Sequence, residues 1–192
     1  WLIGVLQVAL AWMYAVASNS LRLYVQNQLL EQTVTRYVGR KLARQYVRQK
    51  NQKDHNFLMP GAQKQELTIF FSDIANFTSI SEGMDSSALA RHMNQYFEGA
   101  VGGCIHATDG TVVKYIGDSI FAFWNAPEPQ PGHAVRACEA ALLFRERRPE
   151  VMNGQPLITR LGLHSGPADV GNFGSTERVD YTALGENINL AS

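Results

Sequence analysis

Residues 111–125 read TVVKYIGDSIFAFWN. Val112–Ile116 and Ile120–Trp124 are two short apolar runs rich in β-branched and aromatic residues, and Gly117-Asp118 separates them. That spacing predicts two antiparallel strands joined by a two-residue turn with glycine first. Upstream, Asp109-Gly110 closes a unit whose apolar positions Leu89, Met93, Phe97, Ala100, Val101 and Cys104 fall on one helical face. Asp85 or Ser86 can cap that helix. Before it stands a further apolar strand, Leu67-Thr68-Ile69-Phe70-Phe71. Downstream, Pro127 to Pro131 reads as a loop, Ala134–Phe144 as a second amphipathic helix and Ile158–Leu163 as a fourth strand.

The resulting order, βαββαβ, fits an α+β, ferredoxin-like sandwich with helices on one face of an antiparallel sheet. Val179–Thr182 reads as another strand and Glu186–Ser192 as the start of a helix. The composition, 45% hydrophobic and 18% charged, is that of a folded chain. Net charge is zero over 192 residues, but it is unevenly spread. From Ser18 to Lys53 there are eight Lys/Arg and one acid, Glu31, which leaves the remainder net acidic. Cys104 and Cys138 both fall in helical patterns without ligand spacing, which predicts two small buried side chains.

Trp1 to Ala17 is almost wholly apolar. Seventeen helical residues span roughly 25 Å against a bilayer core of about 30 Å. Residues 1–18 are therefore expected to end a longer membrane region, with the basic flank placing the following chain in the cytoplasm. A core helix or a signal peptide ending at Ala15-Val16-Ala17 are the competing readings; no basic segment precedes the apolar run. Residues 19–50 contain one glycine, Gly39, and no proline. Leu30, Val34, Val38, Leu42 and Tyr46 recur every four residues with Tyr37 beside them, which predicts a helix that packs on its own domain or pairs with a second copy. Residues 51–65, with Pro60-Gly61, read as a linker, and 66–192 as the catalytic domain.

Two aspartates stand where apolar strands end, Asp73 and Asp118. Mg²⁺ takes oxygen ligands, commonly one or two carboxylates plus substrate phosphates, so the pair points to metal-assisted phosphoryl chemistry on a nucleotide. Taken alone, Asp73 also suits a helix N-cap, Lys114 a solvated strand position and Asn189 a polar helix position.

Four ordered segments resemble the class III nucleotidyl cyclases, the adenylate and guanylate cyclases. They are Phe71-Ser72-Asp73-Ile74-Ala75-Asn76-Phe77-Thr78, Lys114-Tyr115-Ile116-Gly117-Asp118-Ser119, Gly162-Leu163-His164-Ser165-Gly166, and Asp180 through Ser192. The resemblance implies that Asp73, Asp118 and the Ile74 carbonyl hold two Mg²⁺ or Mn²⁺ ions. It assigns Phe77 and Thr78 to the substrate-binding segment, Lys114 and Thr182 to the base, and Asn189 to the ribose. Lysine with a hydroxyl residue favours ATP over GTP, because the lysine donates to adenine N1 and the hydroxyl accepts from the amino group. Asn76 departs from the family, which usually carries glycine there; Asn tolerates the left-handed backbone better than other non-Gly residues. The family's transition-state arginine comes immediately after the position of Ser192, and a triphosphate-binding lysine comes later still. The chain thus reads as part of a longer protein.

The resemblance as a whole implies a membrane-anchored adenylate cyclase making 3′,5′-cyclic AMP and pyrophosphate in signal transduction. Its sites would be shared across a homodimer, its catalytic domain would face the cytoplasm at the inner membrane, and nucleic acid would not be a partner. A guanylate cyclase, or a catalytically silent dimerising module, are the alternatives. No G-x-x-x-x-G-K-[ST] run occurs, which excludes a P-loop. His55, His92, His106, His133 and His164 show no ligand spacing, and His164 reads as a packed or hydrogen-bonded strand residue.

Overall fold

The computed structural model describes residues 1–50, 61–147, 150–175 and 177–192. It divides into two units, Trp1–Arg48 and Gln49–Ser192.

The first unit is helical: α1 (Leu2–Val38) and then α2 (Arg40–Lys50). Nothing interrupts α1 at residue 18; the apolar segment and the residues after it, up to Val38, form one helix of 37 residues. The break comes at Gly39, whose φ of 88° and ψ of 151° leave the helical region, so the helix expected over 19–50 is in two pieces. Leu10, Trp12, Met13, Tyr14, Leu21, Leu23 and Tyr24 on α1 are exposed. Among the described residues no helix is long and apolar enough to cross a membrane. In the four-residue stripe, the side chains of Leu30, Val34, Tyr37, Val38 and Tyr46 lie outside the described residues, as does most of the 51–65 linker.

The second unit begins with β1 (Gly61–Ile74), longer than the sequence pattern by six residues at its start. It continues through α3 (Phe77–Ser81), α4 (Ser86–Ala100), a π-turn at Val101–Ile105, β2 (Thr111–Ile116), β3 (Ser119–Trp124) and α5 (His133–Glu146). A small hairpin follows, β4 (Val151–Met152) with β5 (Gln155–Pro156), then β6 (Thr159–Gly174), β7 (Val179–Leu184) and α6 (Glu186–Ala191). The main sheet is antiparallel in the order β2-β3-β1-β6-β7. Four of its strands have the ferredoxin-like arrangement, and β7 is added at the β6 edge.

Asp85 caps α4 as expected, its carboxylate accepting from the Ser87 and Ala88 N–H groups at 3.0 and 3.1 Å. The end of that helix differs from expectation. His106 N–H bonds back five residues to the Val101 carbonyl at 2.8 Å, widening the turn where Gly102-Gly103 weakens ordinary helix geometry. Gly117 adopts φ 63°, as a glycine-first hairpin requires.

β1 alternates between two cores. Phe70 and Ile74 face a cluster with Ile120, Trp124, Tyr96 of α4 and Phe144 of α5. Trp124 sets an aromatic edge against Phe70, with centroids 6.0 Å apart, and donates its indole N–H to the Thr108 carbonyl at 3.0 Å. Leu67 and Ile69 face a second cluster with Phe121, Phe123, Ala168, Val170, Ala183 and Ala191. The expectation of helices on one face holds for α4 and α5; α6 lies on the other, where Gly162 and Gly166 leave room for it. Cys104 is buried but Cys138 is exposed, because α5 turns Ala137, Ala140 and Phe144 inward instead.

Candidate active site

β1 delivers Asp73 as its penultimate residue, and the β2–β3 turn delivers Asp118 beside it. The Ile74 N–H donates to Asp118 Oδ2 at 2.9 Å, while the Ile74 side chain is buried in the α4/α5 core. This fixes the turn against the end of β1. The Ser119 hydroxyl donates to Asp73 Oδ1 at 3.3 Å. Burial pushes the Asp118 carboxyl above its ordinary pKa, and the neighbouring Asp73 carboxyl pushes the same way. Hydrogen bonds from the Ile74 and Asp118 N–H groups act in the opposite sense. A carboxylate pair in this state favours a cation between its members.

One cation is already present. Arg160 of β6 stands opposite Asp73 in the register and donates to its Oδ2. The pair is exposed, with side-chain accessibilities of 68% and 41%, so it adds little stability. The sequence reading did not single out Arg160. Its only signal was a basic residue in an otherwise apolar strand, and strand pairing alone reveals which carboxylate it meets. Among the described residues no group of three or more His, Cys, Asp or Glu converges. Two carboxylates with one carbonyl make a low-charge oxygen set, which fits Mg²⁺ or Mn²⁺ completed by substrate phosphates.

Beyond Ile74 the chain turns through Asn76, at φ 58° and ψ 27°, the left-handed conformation anticipated for that position. Asn76, not Asp73, is therefore the N-cap residue of α3. Phe77 is half-buried and packs against the α4/α5 core; Thr78 is exposed in the first turn of α3.

Lys114 is exposed on the edge strand β2. It stands opposite Phe121, which stands opposite Phe71, so Lys114 lies about 10 Å across the sheet from the residue two before Asp73. Thr182 is buried on the other edge strand, β7, paired with Gly171. Strands β3, β1 and β6 intervene, and four strand spacings amount to roughly 19 Å. The structure thus gathers Asp73, Ile74 and Asp118 and leaves the two base-reading candidates on opposite edges. Asn189 is exposed on α6.

Four similarities bear on this geometry. The chain is 37% identical over 166 residues to adenylate cyclase 1 of Rhizobium meliloti, covering 83% of this chain and 24% of that protein. The chain thus spans about a quarter of that curated relative. The solved structure of the adenylyl cyclase CyaB from P. aeruginosa superposes with a TM-score of 0.59 at 32% identity, covering 69% of this chain and 71% of the other. The guanylyl cyclase Cya2 superposes with a TM-score of 0.61 at 31% identity, covering 69% and 70%. The model of the adenylate and guanylate cyclase catalytic domain matches residues 59–192, the span that holds the carboxylate pair and both of its neighbouring strands, and the chain belongs to that family.

Proposed function

We propose that the protein is an adenylate cyclase that converts ATP to 3′,5′-cyclic AMP and pyrophosphate. The observation that carries this reading is the Asp73–Asp118 pair, locked together by the Ile74 N–H and left short of positive charge. Asp73, Asp118 and the Ile74 carbonyl would hold two Mg²⁺ or Mn²⁺ ions, which supply Lewis-acid activation of the ribose 3′-hydroxyl and charge neutralisation on the triphosphate. The protein's own groups do the rest. The Ile74 N–H keeps Asp118 aimed at Asp73. Arg160, whose guanidinium meets Asp73, stands where it would also reach phosphate oxygens. Asn189 orients the ribose so that the 3′-oxygen lines up with the α-phosphorus. Lys114 and Thr182 contact the base.

The resemblance supports a site completed by a second copy of the chain, its carboxylates facing the partner's base-reading residues. Intact Asp73, Asp118, Lys114 and Asn189 speak against a silent module. Similarity to Cya2 as great as that to CyaB favours guanylate cyclase as the second reading. The apolar run Trp1–Ala17 and its basic flank are the support for a membrane anchor with the catalytic domain on the cytoplasmic side.

The test uses the full-length protein with ATP and GTP in parallel, with and without chelation of divalent ions. Cyclic AMP formation that needs Mg²⁺ or Mn²⁺, and a lower ATP preference in Lys114→Glu, support the reading. Turnover under full chelation would remove the metal assignment, and equal use of GTP would remove the base assignment. Fractionation after alkaline carbonate washing tests the anchor; release of the protein to the supernatant counts against it.

A further inference from the structure

The run Gly162-Leu163-His164-Ser165-Gly166 places Gly162, His164 and Gly166 on one face of β6, two residues apart each time. All three touch α6. A side chain on Gly162 would sit 2.0 Å from the Ala191 carbonyl oxygen, and one on Gly166 would sit 2.6 Å from the Asn187 side-chain amide carbon. Neither position has room for a Cβ, so α6 lies directly on the strand backbone. Between the two glycines, His164 Nε2 lies 2.8 Å from Asn187 Oδ1. The Asn187 Nδ2 group donates to the Pro167 carbonyl at 2.8 Å, so its oxygen is the accepting end. His164 therefore carries its proton on Nε2 and donates.

α6 has six residues and a glycine, Gly185, without a capping side chain at its start. A helix that short has negligible stability of its own. Its rotation on the sheet is set by what it is docked to. The glycines define how close it lies; among the described residues His164 is the one side chain of β6 that hydrogen-bonds to it, and it shares Asn187 with the Pro167 carbonyl. Asn189 is two residues further along the same helix.

We propose that His164 is a positioning residue which, by holding Asn187, sets the orientation of Asn189 toward the substrate ribose. This rests on the reading of Asn189 given above. It explains why a polar residue stands between two glycines on a face that otherwise buries apolar side chains.

The test combines hydrogen exchange with steady-state kinetics on the full-length protein. His164→Ala should abolish amide protection in 186–191 while leaving β1 and β6 protected. It should lower kcat roughly 10- to 100-fold with KM for ATP nearly unchanged, since a small misplacement of an orienting group affects the reacting geometry most. His164→Gln, whose amide can donate to Asn187, should restore both protection and most of kcat. The decisive variant is His164→Ala with Asn189→Ala. If His164 acts through Asn189, the double variant is no slower than Asn189→Ala alone. Multiplied losses, or exchange unchanged in His164→Ala, would overturn the proposal. If wild type makes no cyclic nucleotide, the enzymatic reading fails and with it the role toward ribose, while the exchange data still decide whether His164 holds α6.

Discussion

On the face covered by α4 and α5 the sheet presents Phe70, Ile74, Ile120 and Trp124, each at most 1% exposed. On the opposite face four of the nine buried core residues are alanines, Ala126, Ala168, Ala183 and Ala191, beside Leu67, Ile69, Val170 and two phenylalanines. Its rim carries Asp73, Arg160 and Lys114, and α6 leaves Leu190 63% exposed. Large interlocking side chains close the first face and supply stability. Small ones on the second let a helix backbone lie on the strands and keep charged groups at the surface. Function therefore sits where burial is incomplete.

The largest expected effects separate those roles. Asp73→Ala and Asp118→Ala should each lower cyclic-nucleotide formation at least about 100-fold, as loss of a group that organises transition-state charge does. Near-ultraviolet circular dichroism should be unchanged. A variant that unfolds, or one that retains turnover, would contradict the division between the faces. Phe70→Ala should do the reverse. It leaves every charged group in place and opens a cavity beside Trp124 and Phe144, at a cost of about 3–5 kcal/mol in urea unfolding. Near-normal kcat at low temperature in the surviving folded fraction is the expected companion result.

The closed face was legible in the sequence, and the open one less so. Apolar alternation and helical spacing name the strands, and turn chemistry names the Gly117-Asp118 hairpin, because both are local. Asn76 was legible for the same reason. Asn153-Gly154, at φ 52° and 76°, is an equally local hairpin signal between β4 and β5. What depends on which strands become neighbours was not legible. Arg160 meets Asp73 only through the β1–β6 register, and α6 settles on the second face only because two glycines there leave it space. The separation of Lys114 from Thr182 follows from β2 and β7 being opposite edges, which spacing along the chain does not reveal.

The shared-site reading gives the next prediction. If the open face works by pairing with its copy, Asp73 and Lys114 serve different sites although they share a chain. Asp73→Ala and Lys114→Ala homodimers should both be nearly inactive. Co-expressed with different tags, they should recover activity, because one subunit supplies intact aspartates and the other an intact lysine. Random assortment makes about half the dimers mixed, with one competent site of two, so recovery should approach roughly a quarter of the wild-type rate. No recovery in verified heterodimers would assign the carboxylates and the lysine to a site within one chain.

The smallest effect concerns what the open face costs the fold. Asp118 has a raised pKa in the folded protein, so the folded state holds its proton more tightly than the unfolded chain does. Its favourable contribution is complete below the ordinary aspartate value of 3.8 and is lost as pH rises through the raised folded value. At neutral pH, with divalent ions chelated, the ionised Asp118 beside Asp73 is a destabilising element. Asp118→Asn removes the charge and can still accept from the Ile74 N–H. Its melting temperature should match wild type near pH 3.5 and exceed it at pH 7 by about 2 °C, the scale of a sub-kcal/mol change in a domain of this size. Excess Mg²⁺ should close the gap by raising the wild type alone. A gap that is constant across pH, or one that Mg²⁺ does not narrow, would show that burial and the neighbouring Asp73 carboxyl do not penalise the charge on Asp118 in the folded protein.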